Sequence, residues 1–282
     1  MGMWIPLVLF YGLAKGARDA IKKKALEKSS VMEVLFFHAV IALILLLPFS
    51  KGIFAVDGIH HVLIFLKSFV IFIAWICAFT SIKKMPVSFY GIIDMARVLF
   101  STVLALLFLN ETMTLPKAVG LLLVACGIVF VNIGHGDGEK IRYRYLLAAL
   151  LSCLLNAVSG FMDKKLLSDG TLNSSQLQFW YVFYLTLLYG TYILFTRTRI
   201  SLLTVKNNYW IALLSALFVI ADRALFIANE DPVSQITVMT LIKQSSVLVS
   251  VFCGKVFFKE KHILKRAVCA AVVLAGIVVA TL

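Results

Sequence analysis

Six charged side chains interrupt apolar stretches that are otherwise long enough to cross a lipid bilayer. They are Lys67, Asp94, Arg97, Asp222, Arg223 and Lys243. An ionisable group at membrane depth is costly, so it usually faces a water-filled cavity or a partner of opposite charge. The four cations outnumber the two acids, which favours a substrate with negative charge: a carboxylate, an amino-acid zwitterion or a phosphorylated metabolite. Arginine suits bidentate contact with an oxyanion, whereas lysine acts as a point charge.

Two of these charge combinations leave alternatives open. Asp94 and Arg97 are three residues apart and share a helix face, so they form a self-satisfied pair or a partly neutralised cation that still meets substrate. Asp222 and Arg223 are adjacent and point in different directions, which fits a substrate site or equally a helix end near the lipid headgroups. Asp94 is the better candidate for a carboxyl group that takes up a proton before a cavity reseals.

Aromatic and amide side chains extend this candidate site. Trp75 and Tyr90 flank the turn between two apolar stretches, where they shape a cavity rim or simply pack, the commoner role of such aromatics. Gln244 directly follows Lys243 and needs hydrogen-bond partners. The predicted substrate-binding residues are Lys67, Trp75, Tyr90, Asp94, Arg97, Arg223, Lys243 and Gln244.

The composition places this site inside a membrane. Apolar residues make up 61% of the 282 residues and the mean hydropathy is +0.97, more than a soluble domain can bury. A bilayer-spanning helix needs roughly 20 mainly apolar residues, and the chain has room for about ten such helices. The predicted spans are 3–23, 31–50, 62–82, 86–109, 115–134, 145–165, 176–196, 208–229, 232–256 and 263–282. The net charge of +13 comes largely from short loops between spans, so it indicates contact with the lipid bilayer and not with nucleic acid.

The chain contains an internal duplication. Its clearest matches are Pro86-Val87-Ser88 with Pro232-Val233-Ser234, Asn110-Glu111 with Lys259-Glu260, and Gly127-Ile128-Val129 with Gly276-Ile277-Val278. Eleven residues after each proline comes a cation, Arg97 or Lys243. That distance is roughly 16 Å along a helix, near the middle of the hydrocarbon layer. An inverted repeat would bring both cations to one cavity from opposite sides.

Two halves of five spans follow from this duplication. We predict a first repeat at 1–134, a polar linker at 135–143 and a second repeat at 144–282. Because five is odd, the second copy enters the membrane from the other side and the repeat is inverted. Loops after odd-numbered spans carry sixteen Lys and Arg against four in the other loops, which places both termini outside the cytoplasm. We expect an integral protein of the plasma membrane, the inner membrane in a bacterium.

In these features the sequence resembles the drug/metabolite transporter superfamily, EamA-type. The resemblance spans essentially the whole chain and rests on residues 86–127 and 232–276, with Glu111 and Glu260 where the family usually has a glutamate. It implies a basket of ten helices around a central cavity, which helices 1–4 and 6–9 line while helices 5 and 10 stay at the periphery. It also implies transport of amino acids, nucleotide sugars, phosphorylated sugars, choline-like amines or drugs. We therefore expect a secondary-active transporter of a small polar metabolite that works by alternating access.

Glycine positions suggest roles for other spans. Gly120 and Gly127 in span five, with Gly276 in span ten, allow close helix contact, so these spans indicate a scaffold that could also form a homodimer surface. The residues at 16–19 parallel those at 160–163, and both stretches lie at the headgroups or line the mouth of the cavity.

Motifs for enzymatic chemistry are missing from the sequence. It contains no H-E-x-x-H, G-x-S-x-G, P-loop or Rossmann glycine pattern, so we expect no enzymatic activity, metal or cofactor. The alternative is a membrane-embedded enzyme or flippase that acts on a lipid-linked phosphate, since such a site would also need buried Arg and Lys. That alternative predicts a cluster of catalytic acids or histidines at one interface, which the sequence does not show.

Overall fold

Helices form the regular secondary structure of the computed structural model, which describes residues 4–49, 52–108, 113–132, 142–168, 170–260 and 263–281. The helices are α1 (Trp4–Lys28), α2 (Val31–Leu46), α3 (Gly58–Lys84), α4 (Val87–Asp94), α5 (Arg97–Phe108), α6 (Leu115–Asn132), α7 (Tyr143–Ser168), α8 (Ser174–Thr196), α9 (Leu203–Asn207), α10 (Trp210–Glu230), α11 (Ile236–Lys243), α12 (Ser246–Val256) and α13 (Ile263–Thr281). Glu111 and most of the predicted linker at 135–143 lie outside the described residues.

Ten helical segments of the described chain correspond to the ten predicted spans. Helices α4 and α5 form one segment, α11 and α12 form another, and the short α9 lies in a connection. Six segments are long and apolar enough to cross a membrane by length and composition alone. Helix α1 is not among them and carries many charges from Lys15 onward, although Lys15 and Asp19 are buried. The predicted all-α polytopic fold is confirmed.

Helix contacts between the halves follow the symmetry of the duplication. Helix α1 packs against α10 and α12, and its counterpart α7 packs against α3 and α5. The contact of α4 with α12 is repeated as that of α11 with α5, while α6 packs against its own counterpart α13. Each of these contacts between halves therefore has a repeat-related counterpart, or is its own counterpart in the case of α6 and α13. This is the pattern expected for an inverted repeat.

Two predicted spans are each divided in the structure. The span at 86–109 is interrupted between Asp94 and Arg97, and the span at 232–256 is interrupted between Lys243 and Ser246. Backbone bonds at both points run from residue i to residue i−3, as in a 3₁₀ turn. The prediction of two continuous helices is thus wrong at these points, and the breaks occur at matching positions of the two repeats, beside their cations.

The predicted close contact between spans five and ten is present. A Cβ atom built on Gly276 of α13 would lie 2.8 Å from the carbonyl oxygen of Gly120 on α6 and 2.7 Å from Leu123 Cβ. Only glycine lets two helix backbones approach this closely. The α6–α13 pair joins the two halves at the side of the bundle.

A second close approach occurs in only one of two repeat-related places. A Cβ atom on Gly16 of α1 would lie 2.4 Å from the carbonyl oxygen of Ser246 and 2.7 Å from Val249 Cβ. The corresponding Gly160 of α7 has no such neighbour within 4 Å among the described residues. Helix α1 thus touches the backbone at the broken part of α11–α12, whereas α7 leaves open space at the equivalent level.

This difference predicts unequal effects of two matched substitutions. Gly16→Ala should lower the free energy of unfolding by about 1–3 kcal/mol, because the added methyl group meets backbone atoms that cannot move aside alone. Gly160→Ala should leave it unchanged or raise it slightly, since alanine is the better helix former and has room. Apparent melting temperatures of the purified variants in detergent measure the difference. Equal melting temperatures would contradict the packing described for α1.

Candidate functional site: a charged central cavity

A cavity of about 100 Å³ lies among helices of both halves. Residues of α1, α3, α4 and α5 line it from the first half, and residues of α7, α8, α10 and α11 line it from the second. Both broken helices therefore contribute to its wall. Helix α2 contributes no described lining residue and packs instead against α8 and α10, which departs from the lining by helices 1–4 that the family resemblance implied.

The wall of the cavity is strongly ionic. Its ionisable Lys, Arg and Asp residues are Lys15, Arg18, Asp19, Lys22, Lys67, Asp94, Arg97, Asp163, Asp222 and Lys243. Six of these are basic and four are acidic, which gives a formal charge of +2. The same surplus was predicted from five of these residues together with Arg223, so the agreement concerns the sign of the charge and not its full source.

Asp94 neutralises cations from two helices. It forms ion pairs with Lys15 of α1 and, at 2.8 Å, with Arg97 at the start of α5. Two alternatives were open for the Asp94–Arg97 pair. Because Asp94 divides its carboxylate between Lys15 and Arg97, the geometry favours the second alternative, in which Arg97 is only partly neutralised. Arg97 keeps 14% of its side chain exposed, and its buried Nε has no hydrogen-bond partner among the described residues.

Three other pairs connect the remaining acids. Arg18 lies 2.8 Å from Asp222 of α10, and Lys22 lies 2.8 Å from Asp19 one turn earlier in α1. The third pair, between Lys67 of α3 and Asp163 of α7, spans 3.2 Å across the two halves. Each acid of the cavity wall therefore has a basic partner.

Lys243 differs from the other cations of the wall. Among the described residues, no carboxylate oxygen lies within 4.0 Å of its Nζ, which is 5.8 Å from the centre of the Tyr11 ring. It is partly exposed to the cavity at the end of α11, directly before the helix break. The ammonium group is thus available to an anion that enters the cavity.

Lys67 reaches the cavity in a different state. It is 1% exposed, and its Nζ lies 3.5 Å from the centre of the Tyr181 ring as well as beside Asp163. When the ammonium group of a lysine is paired with a carboxylate and covered by an aromatic ring, little of it remains accessible to a ligand. This position favours a structural role for Lys67 in the cavity wall over direct binding of a ligand.

The structure brings most of the other predicted residues to the cavity, but not all. Trp75, Tyr90 and Asp94 line it together with Arg97. Arg223 is absent from the described lining, because it points towards α8 and donates to the hydroxyl of Ser175. Gln244 is buried outside that lining, and its side-chain nitrogen donates to the carbonyl oxygen of Thr240 at 3.1 Å.

Sequence reasoning missed Lys15 and Lys22 of α1 as residues of the cavity wall. Lys15, Arg18 and Lys22 are spaced by three and four residues and therefore form one stripe on a helix face. That spacing was the available signal, but the charges were close enough to a helix end to suggest headgroup contact. The structure places Arg18 and Asp19 of α1 and the matching Asp163 of α7 in the cavity wall, which is the second of the two alternatives for these stretches.

Comparisons with known proteins agree with this architecture. Residues 2–133 match the sequence model of the EamA-like transporter family, over nearly the range of the first predicted repeat. No curated protein sequence matches the chain. A solved structure described only as "Crystal structure of protein" is similar over 97% of this chain and 96% of its own, with a TM-score of 0.70 and 13% identity. At that identity the likeness shows a shared fold and carries no information about substrate.

The pairing in the cavity predicts a specific pattern of stability. Lys67→Met should destabilise the protein by about 3–5 kcal/mol, because it leaves the buried Asp163 without its partner. Adding Asp163→Asn should recover most of this loss, since the pair is then removed as a unit. Lys243→Met should be neutral or stabilising, because it removes a cation that has no carboxylate beside it.

Thermal denaturation of the four proteins, including the parent, measures this pattern. Equal losses in Lys67→Met and in the double variant would show that the lysine contributes by packing and not by its charge.

Proposed function

Because this chain belongs to the EamA-like transporter family of the drug/metabolite transporter superfamily, we propose that it is a secondary-active transporter of a small polar metabolite. The protein is a membrane transporter of this type, and its helices indicate that it is integral to the membrane. The proposal adds the charge class of the substrate and alternating access through the central cavity.

One observation carries the choice of substrate class: the cavity wall has a surplus of positive charge, and Lys243 has no described carboxylate partner. An isolated cation in a water-poor environment costs several kcal/mol unless a counter-ion accompanies it. A bound carboxylate or phosphate would supply that counter-ion. This argues for an amino acid, an organic acid or a phosphorylated metabolite and against a simple cationic amine.

Two cations at the helix breaks are the proposed contacts for the negative group. Arg97 follows the break between α4 and α5, and Lys243 precedes the break between α11 and α12. Both line the same cavity, one from each repeat. The exposed part of the Arg97 guanidinium can add a directed hydrogen bond to the point charge of Lys243. Trp75 and Tyr90 also line the cavity. An ammonium group of a zwitterion would share the carboxylate of Asp222 with Arg18, which lies 2.8 Å from it.

The distribution of basic loops supports a plasma-membrane protein with both termini outside. In this orientation the connection between α3 and α4, with Lys83 and Lys84, is cytoplasmic. The connection that contains α9 and Lys206 lies on the same side. Labelling of single cysteines in these two connections in intact cells tests the assignment.

An uptake screen in proteoliposomes is the direct test of function. Amino acids, dicarboxylic acids and sugar phosphates are offered as radiolabelled substrates, with choline as the cationic comparison. Uptake of an anionic or zwitterionic compound, above that of empty liposomes, supports the proposal. Uptake of choline alone would overturn the charge class while leaving transport intact.

Lys243→Met should reduce uptake of the active compound sharply. Loss of a hydrogen bond to a charged group costs about 1.5–3 kcal/mol, which corresponds to a roughly 10- to 100-fold rise in the apparent KM. Lys206→Met, at an exposed lysine of α9, is the matched control and should leave KM unchanged. A normal KM in the Lys243 variant would show that this lysine does not bind the substrate.

A further inference from the structure

Glu260, a residue of the second repeat, caps the N-terminus of α4 in the first repeat. Glu260, after α12, accepts hydrogen bonds from the backbone N–H groups of Val87 and Ser88 and from the Ser88 hydroxyl. Arg266 of α13 donates to the same carboxylate at 3.1 Å and to Ser88 Oγ at 3.0 Å. We call these four residues the α4 clasp. It satisfies N–H groups at the positive end of α4 with a negative charge from the other half.

The helices on either side of this clasp approach each other very closely. A Cβ atom on Gly254 of α12 would lie 2.6 Å from Glu260 Oε2, and one on Gly91 of α4 would lie 2.9 Å from Ser250 Cβ. Glycine at both places lets the carboxylate and the neighbouring helix fit against α4. The α4–α12 seam is therefore closed, and Ser250 in it is fully buried.

The repeat-related Pro-Val-Ser sequence has a different environment. Val233 N–H and Ser234 N–H donate to Asp231 of their own loop, at 3.0 Å to Oδ1 and 3.1 Å to the carbonyl oxygen. Val233 is 76% exposed, whereas its counterpart Val87 is 0% exposed. At one end of the bundle Val87 and Ser88 are thus both buried against the other half. At the other end Val233 is exposed, while Ser234 is buried and accepts a hydrogen bond at 2.7 Å from Lys164 of its own half.

We propose that the α4 clasp is a gate, and that the cavity opens at the α4–α12 end only when Glu260 leaves the N-terminus of α4. This proposal rests on the proposed transport function, because only a transporter must open its cavity at each end in turn. Two copies of one sequence in two environments are what an inverted repeat shows when one end is closed. In the second state, residues 232–234 would be packed against the other half and residues 86–88 would be open.

The bonds of the clasp suit a reversible gate. They lie at the end of a helix, where water can replace Glu260 at the N–H groups once the seam separates. The break between α4 and α5 lets α4 move without the rest of its span, since a 3₁₀ turn within a helix commonly marks a hinge. Movement of α4 also displaces Asp94 and Tyr90, which line the cavity. The gate and part of the cavity wall are therefore on one moving element, whereas Arg97 and Lys243 lie on α5 and α11.

Accessibility of the seam tests the gate without any substrate. A Ser250→Cys reporter is placed in the full chain in lipid nanodiscs, and its modification by a water-soluble maleimide is followed by peptide mass spectrometry. Glu260→Gln should raise the modification rate about tenfold, the scale expected when one hydrogen bond to a charged group is lost. Ser88→Ala removes only the hydroxyl, so it should give a smaller increase and serves if the glutamine variant does not fold.

Glu230→Gln is the matched control. Glu230 also caps a helix N-terminus, by accepting from the Ser174 N–H of α8, but it does so within the second half. It should leave the rate at Ser250→Cys unchanged. The gate is refuted if neither clasp variant changes the rate, or if Glu230→Gln raises it equally, which would indicate general loosening.

Failure of the gate and failure of the proposed function give different results. If the proteoliposomes take up no compound but Glu260→Gln still exposes the seam, the clasp controls opening and the substrate class is wrong. If uptake is normal while the seam is unaffected, the transport proposal stands and the gate is elsewhere.

Discussion

The cost of charge inside a lipid-embedded bundle is the constraint from which the rest of this structure follows. Ten Lys, Arg and Asp side chains of the described residues surround one cavity, and the acids among them lie next to cations. Three of these pairs join different helical segments of the bundle: Lys15 with Asp94, Arg18 with Asp222, and Lys67 with Asp163. The last two also join the two halves. Neutralisation and helix association are therefore achieved by the same contacts, and a polar cavity can persist where apolar packing would otherwise close it.

The inverted repeat determines where these contacts occur, and departures from its symmetry describe the conformation. Most contacts between halves have a repeat-related counterpart, but Gly16 is packed where Gly160 is open, and Val87 is buried where Val233 is exposed. The first difference concerns helices that pack on a broken span, and the second concerns the beginning of the broken spans themselves. The scaffold of α6 and α13 joins the halves elsewhere. The molecule thus combines one closely packed pair of helices, α6 and α13, with two repeat-related ends that differ in how tightly they are packed.

Hydropathy and duplication were enough to predict ten helices, their inversion and the approach of Arg97 and Lys243 to one cavity. They could not predict the helix breaks, because neither break contains proline or glycine and a 3₁₀ turn leaves the hydropathy profile unchanged. They also missed Lys15 and Lys22, whose cost is offset by acids that only the folded chain brings near. Arg223 was predicted at the cavity from its depth alone, but depth does not fix the direction in which a side chain points.

The duplication finally explains why Lys243 has no carboxylate beside it among the described residues, whereas Arg97 has one. Arg97 corresponds to Lys243, and Asp94 corresponds at the same offset to Thr240. Asp94 and Thr240 both line the cavity, so the two copies differ there in charge and not in placement. The first repeat keeps its cation beside a carboxylate, whereas the second has a neutral hydroxyl in the matching place. Since the two copies share a framework, this single difference accounts for the absence of a carboxylate beside Lys243 in the described part of the chain.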